Sequence, residues 1–134
     1  MEYDLAPRGH ALTDLEAHNH ATQMPMAEVV SELIDILGLT PVAAIGGVKE
    51  TRAVQQWTNG RKPQRPHVLR FALRLATMIA STGDREMARA WFEGSNPALG
   101  DASPAHLLRD RRLEDVQHDL MSAARAYAAR NNVA

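Results

Sequence analysis

Glycine and proline cut most of this chain into short segments, and the apolar residues within them recur at helical spacing. From Pro25 the run PMAEVVSELIDILG puts Val29, Val30, Leu33, Ile34 and Leu37 on one helical stripe that Gly38 stops. Thr40-Pro41 reads as N-cap and first residue of a short second helix carrying Val42 and Ile45, which closes near Gly46-Gly47. KETRAVQQWTNG spaces Val54 and Trp57 three apart and ends at Asn59-Gly60, and the basic, proline-punctuated RKPQRP then interrupts helix. A long helix follows, with Val68, Phe71, Leu75 and Met78 facing one way and Gly83 behind it, then DREMARAWFE up to Gly94. After a Gly- and Pro-rich stretch come PAHLLRD and a last helix with Leu113, Val116, Leu120 and Ala124 on one stripe. No segment alternates as a strand would, so the expected fold class is all-α. Residues 1–24 lack the periodicity and read as a mobile N-terminal tail.

With 134 residues the chain suffices for one compact domain, or two very small ones with a tail. No cysteine occurs, which excludes a disulfide framework and a thiolate metal site and is compatible with a cytoplasmic home. The N-terminus opens with acids and has no apolar signal region, and no apolar run approaches the roughly 18 residues of a membrane span. His10, His18 and His20 invite a metal, but His-x-His in a polar segment without a third ligand reads as ordinary surface.

The net charge of -1 hides an asymmetry. Residues 1–37 hold seven acids and one base, whereas residues 38–74 hold seven bases and one acid. A basic block in a near-neutral protein is a local electrostatic footprint, and its two readings are a polyanion site or a solvated cationic face.

The block coincides with PVAAIGGVKETRAVQQWTNG, which has the parts of a helix-turn-helix: a short helix, a Gly turn, a locking valine and a second helix apolar on one side. Gly47 supplies the positive φ, and Ala43 would let the helices approach. Thr51, Arg52, Gln55, Gln56 and Asn59 then form the exposed face, with side chains suited to base edges. Lys49, Arg61, Lys62 and Arg65 flank it and suit phosphates. Val48 and Val54 are six apart, where common repressor units have five, so this turn is one residue longer.

The stretch WFEGSNPALGDASPAHLL, residues 91–108, could be a hinge, a nucleotide-cradling loop or a stiff corner. It lacks the preceding strand and the Lys-Ser/Thr of a phosphate loop. Asn96-Pro97 and Ser103-Pro104 each read as N-cap and first helical residue, Gly100 can leave the turn at positive φ, and Leu99 reads as a buried peg against Trp91 and Leu107. A rigid corner results.

Over residues 26–128 the chain resembles the Xre-like antitoxins of the MbcA/ParS group. The long turn GGVKETRAVQQWTNGRKP is similar to that family's helix-turn-helix, and AWFEGSNPALGDASPAHLL to the signature of its toxin-binding region, matched at Trp91, Asn96, Pro97, Ala98, Leu99, Gly100, Ser103, Pro104, Leu107 and Leu108. Asp101 stands where the family commonly has a second glycine, and RDRRLED between the last two helices is short. The resemblance implies a helix-turn-helix domain over 25–80 and a helical toxin-binding domain with a C-terminal tail over 81–134. It implies a partner, a RES-domain toxin whose NAD-handling site is blocked, and operator DNA of the chain's own operon. It implies a homodimer assembling into a larger toxin–antitoxin complex, with Arg125, Tyr127, Arg130 and Asn131 reaching the toxin's site.

No catalytic constellation competes with this reading. Asp115, His118 and Asp119 share one helical turn, but exposed charge on an amphipathic helix accounts for them. No catalytic residue, metal or cofactor is expected. The alternatives within binding are a stand-alone repressor with a dimerisation domain and no toxin, and an inhibitor with no DNA role.

Overall fold

The computed structural model describes residues 13–131. They form eight α-helices: α1 (Asp14–Gln23), α2 (Met26–Leu37), α3 (Leu39–Gly46), α4 (Thr51–Thr58), α5 (Pro66–Thr82), α6 (Arg85–Glu93), α7 (Pro104–Asp110) and α8 (Leu113–Asn131). A single 3₁₀ turn, Pro97–Leu99, lies between α6 and α7. Among the described residues there is no strand, only an isolated bridge between Asn96 and Ala102. The protein is all-α.

The long helix α5 is the hub, touching α1, α2, α3, α6 and α8. It can serve so because it buries residues on more than one face: Val68, Leu69, Ala72, Leu73, Leu75, Ala76, Met78 and Ile79. Phe71, expected on the buried stripe, is only partly covered; the apolar circumference of α5 is wider than one stripe. In α2 the buried set is Val29, Val30, Leu33, Ile36 and Leu37, with Ile34 at the margin, so the stripe is turned slightly from its expected position.

One hydrophobic cluster runs from Ala17 in α1 to Ala124 in α8. It contains Leu75, Ala76, Met78 and Ile79 on one side of residue 80 and Ala88, Trp91, Phe92 and Leu108 on the other, so the core has no break at the expected boundary.

The N-terminal expectation needs correction. Residues 1–12, and with them His10, lie outside the described residues, but 14–23 form α1 instead of a tail. A capping box nucleates it, with Glu16 N–H donating to Thr13 Oγ1 at 3.1 Å and Thr13 N–H to Glu16 Oε1 at 2.9 Å. The sequence signal was Thr13-x-x-Glu16. Hydrophobic periodicity missed it because, among the described side chains, α1 contributes only the small Ala17 to the buried core, while Leu15 is 67% exposed. His18 is exposed on this helix, and the side chain of His20 is outside the description.

Candidate nucleic-acid interface and the C-terminal corner

Helices α3 and α4 are joined by the turn 47–50. Gly47 ends α3 in the left-handed region, φ 82°, and its N–H and that of Val48 bond back to carbonyls at Ala43 and Ala44. Helix α3 starts at Leu39 behind Gly38, two residues earlier than Thr40-Pro41 suggested. The close approach between the helices occurs at Gly46 rather than Ala43: a Cβ on Gly46 would lie 2.5 Å from the Trp57 ring. Sequence reasoning passed over Gly46 because Gly47 already accounted for the turn.

With Val54 and Trp57 buried against α2 and α3, the opposite side of α4 carries Arg52, Gln55 and Asn59, all exposed, with Thr51 and Gln56 partly exposed. Positions 52, 55, 56 and 59 recur at three- and four-residue steps and so share one face. Lys49 precedes this face, Arg61 and Lys62 follow it, and all three are exposed. Among the described residues Lys49, Arg52, Arg61 and Lys62 form no ion pair, and the carboxylate beside them in sequence is the exposed Glu50.

Arg65 does not belong to that set. Its guanidinium is part-buried and donates to Ile45 O at 3.0 Å, Leu108 O at 2.7 Å and, more loosely, Arg109 O at 3.4 Å. It is an internal tie, not an exposed phosphate contact, because the connector turns the residue before Pro66 inward, over Gly47.

The corner between α6 and α7 is built as its turn residues dictate. Gly94 caps α6, Asn96 Oδ1 accepts from Ala98 N–H at 2.9 Å, and Pro97 opens the 3₁₀ turn. Gly100 leaves the turn at φ 66°, and Ser103 Oγ accepts from His106 N–H at 3.1 Å ahead of Pro104. The bridge from Asn96 N–H to Ala102 O and the bond from Ser95 Oγ to Asp101 O close the loop on itself. Trp91 and Phe92 are buried edge to face, centroids 5.1 Å apart. Leu99 packs on the core only partly buried, and its turn lies against α8, so it is a shallower peg than expected.

Asp101 is the one described non-glycine residue at positive φ, 68°. Asp101 thus sits where glycine is easiest, and Asp is among the side chains that tolerate it. Asp101→Val is expected to lower the unfolding free energy by about 1–2 kcal/mol in urea denaturation, while Asp101→Gly stays within about 1 kcal/mol of the parent.

At the C-terminal end, Arg125 is exposed and pairs with Asp14 of α1. Tyr127 is partly buried against the core, the Arg130 guanidinium lies 5.7 Å over its ring, and Asn131 Nδ2 is buried with no hydrogen-bond partner among the described residues. Helix α8 runs through this segment to Asn131.

At the α7–α8 corner the Arg109 guanidinium, bonded to Asp110, holds its carboxyl below the usual carboxylate range, and Arg112 does the same to Glu114. With folded pKa values lowered, these pairs contribute above the ordinary carboxylate pKa and are lost as pH falls through the lowered values. Both are solvent-exposed, which keeps the contribution small. Asp115, His118 and Asp119 are exposed on α8. Among the described residues no three His, Asp or Glu side chains converge as a metal site, and no helix is long and apolar enough to cross a membrane.

Among the described residues, fold and surface together define an all-α protein with a cationic, amide-bearing helix face and a corner closed by its own hydrogen bonds. No family model, curated protein or solved structure matches the chain.

Proposed function

We propose that this chain is an antitoxin that binds and neutralises a RES-type, NAD-degrading toxin and represses its own operon, acting in the cytoplasm as a homodimer within a larger toxin–antitoxin complex. The α3–α4 pair is a helix-turn-helix, and α4 enters the major groove. The observation that carries the DNA half is the α4 face: Arg52, Gln55 and Asn59 exposed opposite a buried Val54 and Trp57 and bordered by unpaired Lys49, Arg61 and Lys62. Arginine is matched to guanine and glutamine or asparagine to adenine, while the flanking cations suit phosphates and carry no sequence information.

The toxin half rests on the resemblance at Trp91, Asn96, Pro97, Leu99, Gly100, Ser103 and Pro104. A corner closed on itself by its own hydrogen bonds supports it, since such a corner fixes where α8 leaves the body. Tyr127, Arg130 and Asn131 would meet the toxin directly, whereas Arg125 must first leave Asp14.

Co-expression with the RES-type reading frame expected beside this gene tests the proposal. Growth should be rescued, and the two proteins should co-purify. A gel shift on the duplex upstream of the gene should give a complex that weakens with salt. Tight DNA binding with no neighbouring toxin and no co-purifying protein would instead make the chain a stand-alone repressor.

A further inference from the structure

We propose that Arg65 is a positioning residue for DNA reading, through which α7 of the C-terminal part holds the α3–α4 pair in its binding pose. The inference rests on the DNA-binding half of the function proposed above.

Arg65 offers five N–H donors in a fixed fork and has no carboxylate partner among the described residues. Its charge is set instead against two helix C-termini. Ile45 O belongs to the last turn of α3, while Leu108 O and Arg109 O belong to the last turn of α7. Carbonyls there lack helical partners and lie at the negative ends of the two helix dipoles. One guanidinium therefore joins two elements that no short loop connects.

The stem of the same side chain covers the turn into α4. A Cβ on Gly47 would lie 3.1 Å from Arg65 Cδ and 3.3 Å from its Nη1, so a side chain there would press on the Arg65 stem, and the positive φ of 82° already favours glycine. Four residues later α4 begins. The pose of the reading face is thus set where α7 is tied, and α3 also packs directly on α7. Helix α7 becomes part of the DNA-reading architecture. Lysine cannot substitute, since one ammonium on a flexible stem does not span three carbonyls on two helices.

The test measures affinity for the duplex upstream of the gene by fluorescence anisotropy across a salt series. The temperature is one at which circular dichroism finds every variant folded. Arg65→Lys and Arg65→Gln should both weaken binding roughly ten-fold, the scale of coupling within one hydrogen-bond network, with the salt slope unchanged. Ser103→Ala, which removes the N-cap of α7, should weaken binding in the parent but add little on top of Arg65→Gln. Lys62→Gln should differ, lowering the slope by about 0.9 as one phosphate contact is lost.

Parental affinity for Arg65→Lys, or a slope lowered by Arg65→Gln, would make Arg65 a phosphate ligand and overturn the proposal. Unchanged affinity with only a lower melting temperature would overturn it too, leaving Arg65 a stability residue. If the parent itself does not bind the duplex, the DNA-binding reading fails and the positioning role with it.

Discussion

Trp57→Ala is expected to lower the unfolding free energy by about 3–5 kcal/mol, read from urea denaturation followed by far-ultraviolet circular dichroism. The indole is 5% exposed and lies against Gly46, where no side chain could fill the space it leaves. The cost therefore includes a cavity between α3 and α4 as well as lost transfer energy. Domains of this size are stable by only about 5–15 kcal/mol, so the variant sits near its folding threshold. A loss below about 1 kcal/mol would mean that Trp57 does not hold the two helices together. Gly46→Ala perturbs the same contact from the other side and should cost about 1–3 kcal/mol, since the added methyl meets a buried ring with little room to move.

The second large effect is on affinity. Arg52→Ala combined with Gln56→Ala should weaken binding to the upstream duplex by about 1–3 kcal/mol for each lost base contact, with the melting temperature nearly unchanged. Arg52 is exposed and Gln56 partly so, and neither is among the buried residues of the core, so folding does not depend on them. Expression from the operon should rise accordingly in a reporter strain. Were repression unaffected while the toxin stayed neutralised, α4 would be a solvated face and the chain an inhibitor without a DNA role. Poly(dI-dC) competition separates the terms further, because loss of Lys49, Arg61 or Lys62 should weaken specific and non-specific binding alike.

Much of this molecule is legible in the residues because its local rules agree. The stop at Gly38, the Gly47 turn, the Asn96-Pro97 and Ser103-Pro104 starts and the Gly94 cap all fall where turn and cap chemistry puts them. Each depends on a few consecutive residues, so sequence distance equals physical distance. The side of α4 that faces outward was equally readable, because burying Val54 and Trp57 leaves Arg52, Gln55 and Asn59 no other orientation.

The misreadings share a cause. Helix α1 was hidden because its stability comes from a capping box and from packing on α5, neither of which produces a hydrophobic stripe. The inward tie of Arg65 and the close approach at Gly46 were missed because their partners lie 20 to 44 positions away, or on the next helix. An arginine among Arg61, Lys62 and Pro66 looks like one more surface cation until three carbonyls from two helices converge on it.

The sequence by itself determined the all-α class, most of the helix boundaries and the chemistry carried by the α4 face, since periodicity, caps and turn residues act over a few positions. The tertiary structure alone decided that described helices on both sides of residue 80 contribute to one core, that α1 belongs to it, and that Arg65 faces inward. Those outcomes depend on which helix ends meet in space, and long-range packing fixes that meeting where no local pattern records it.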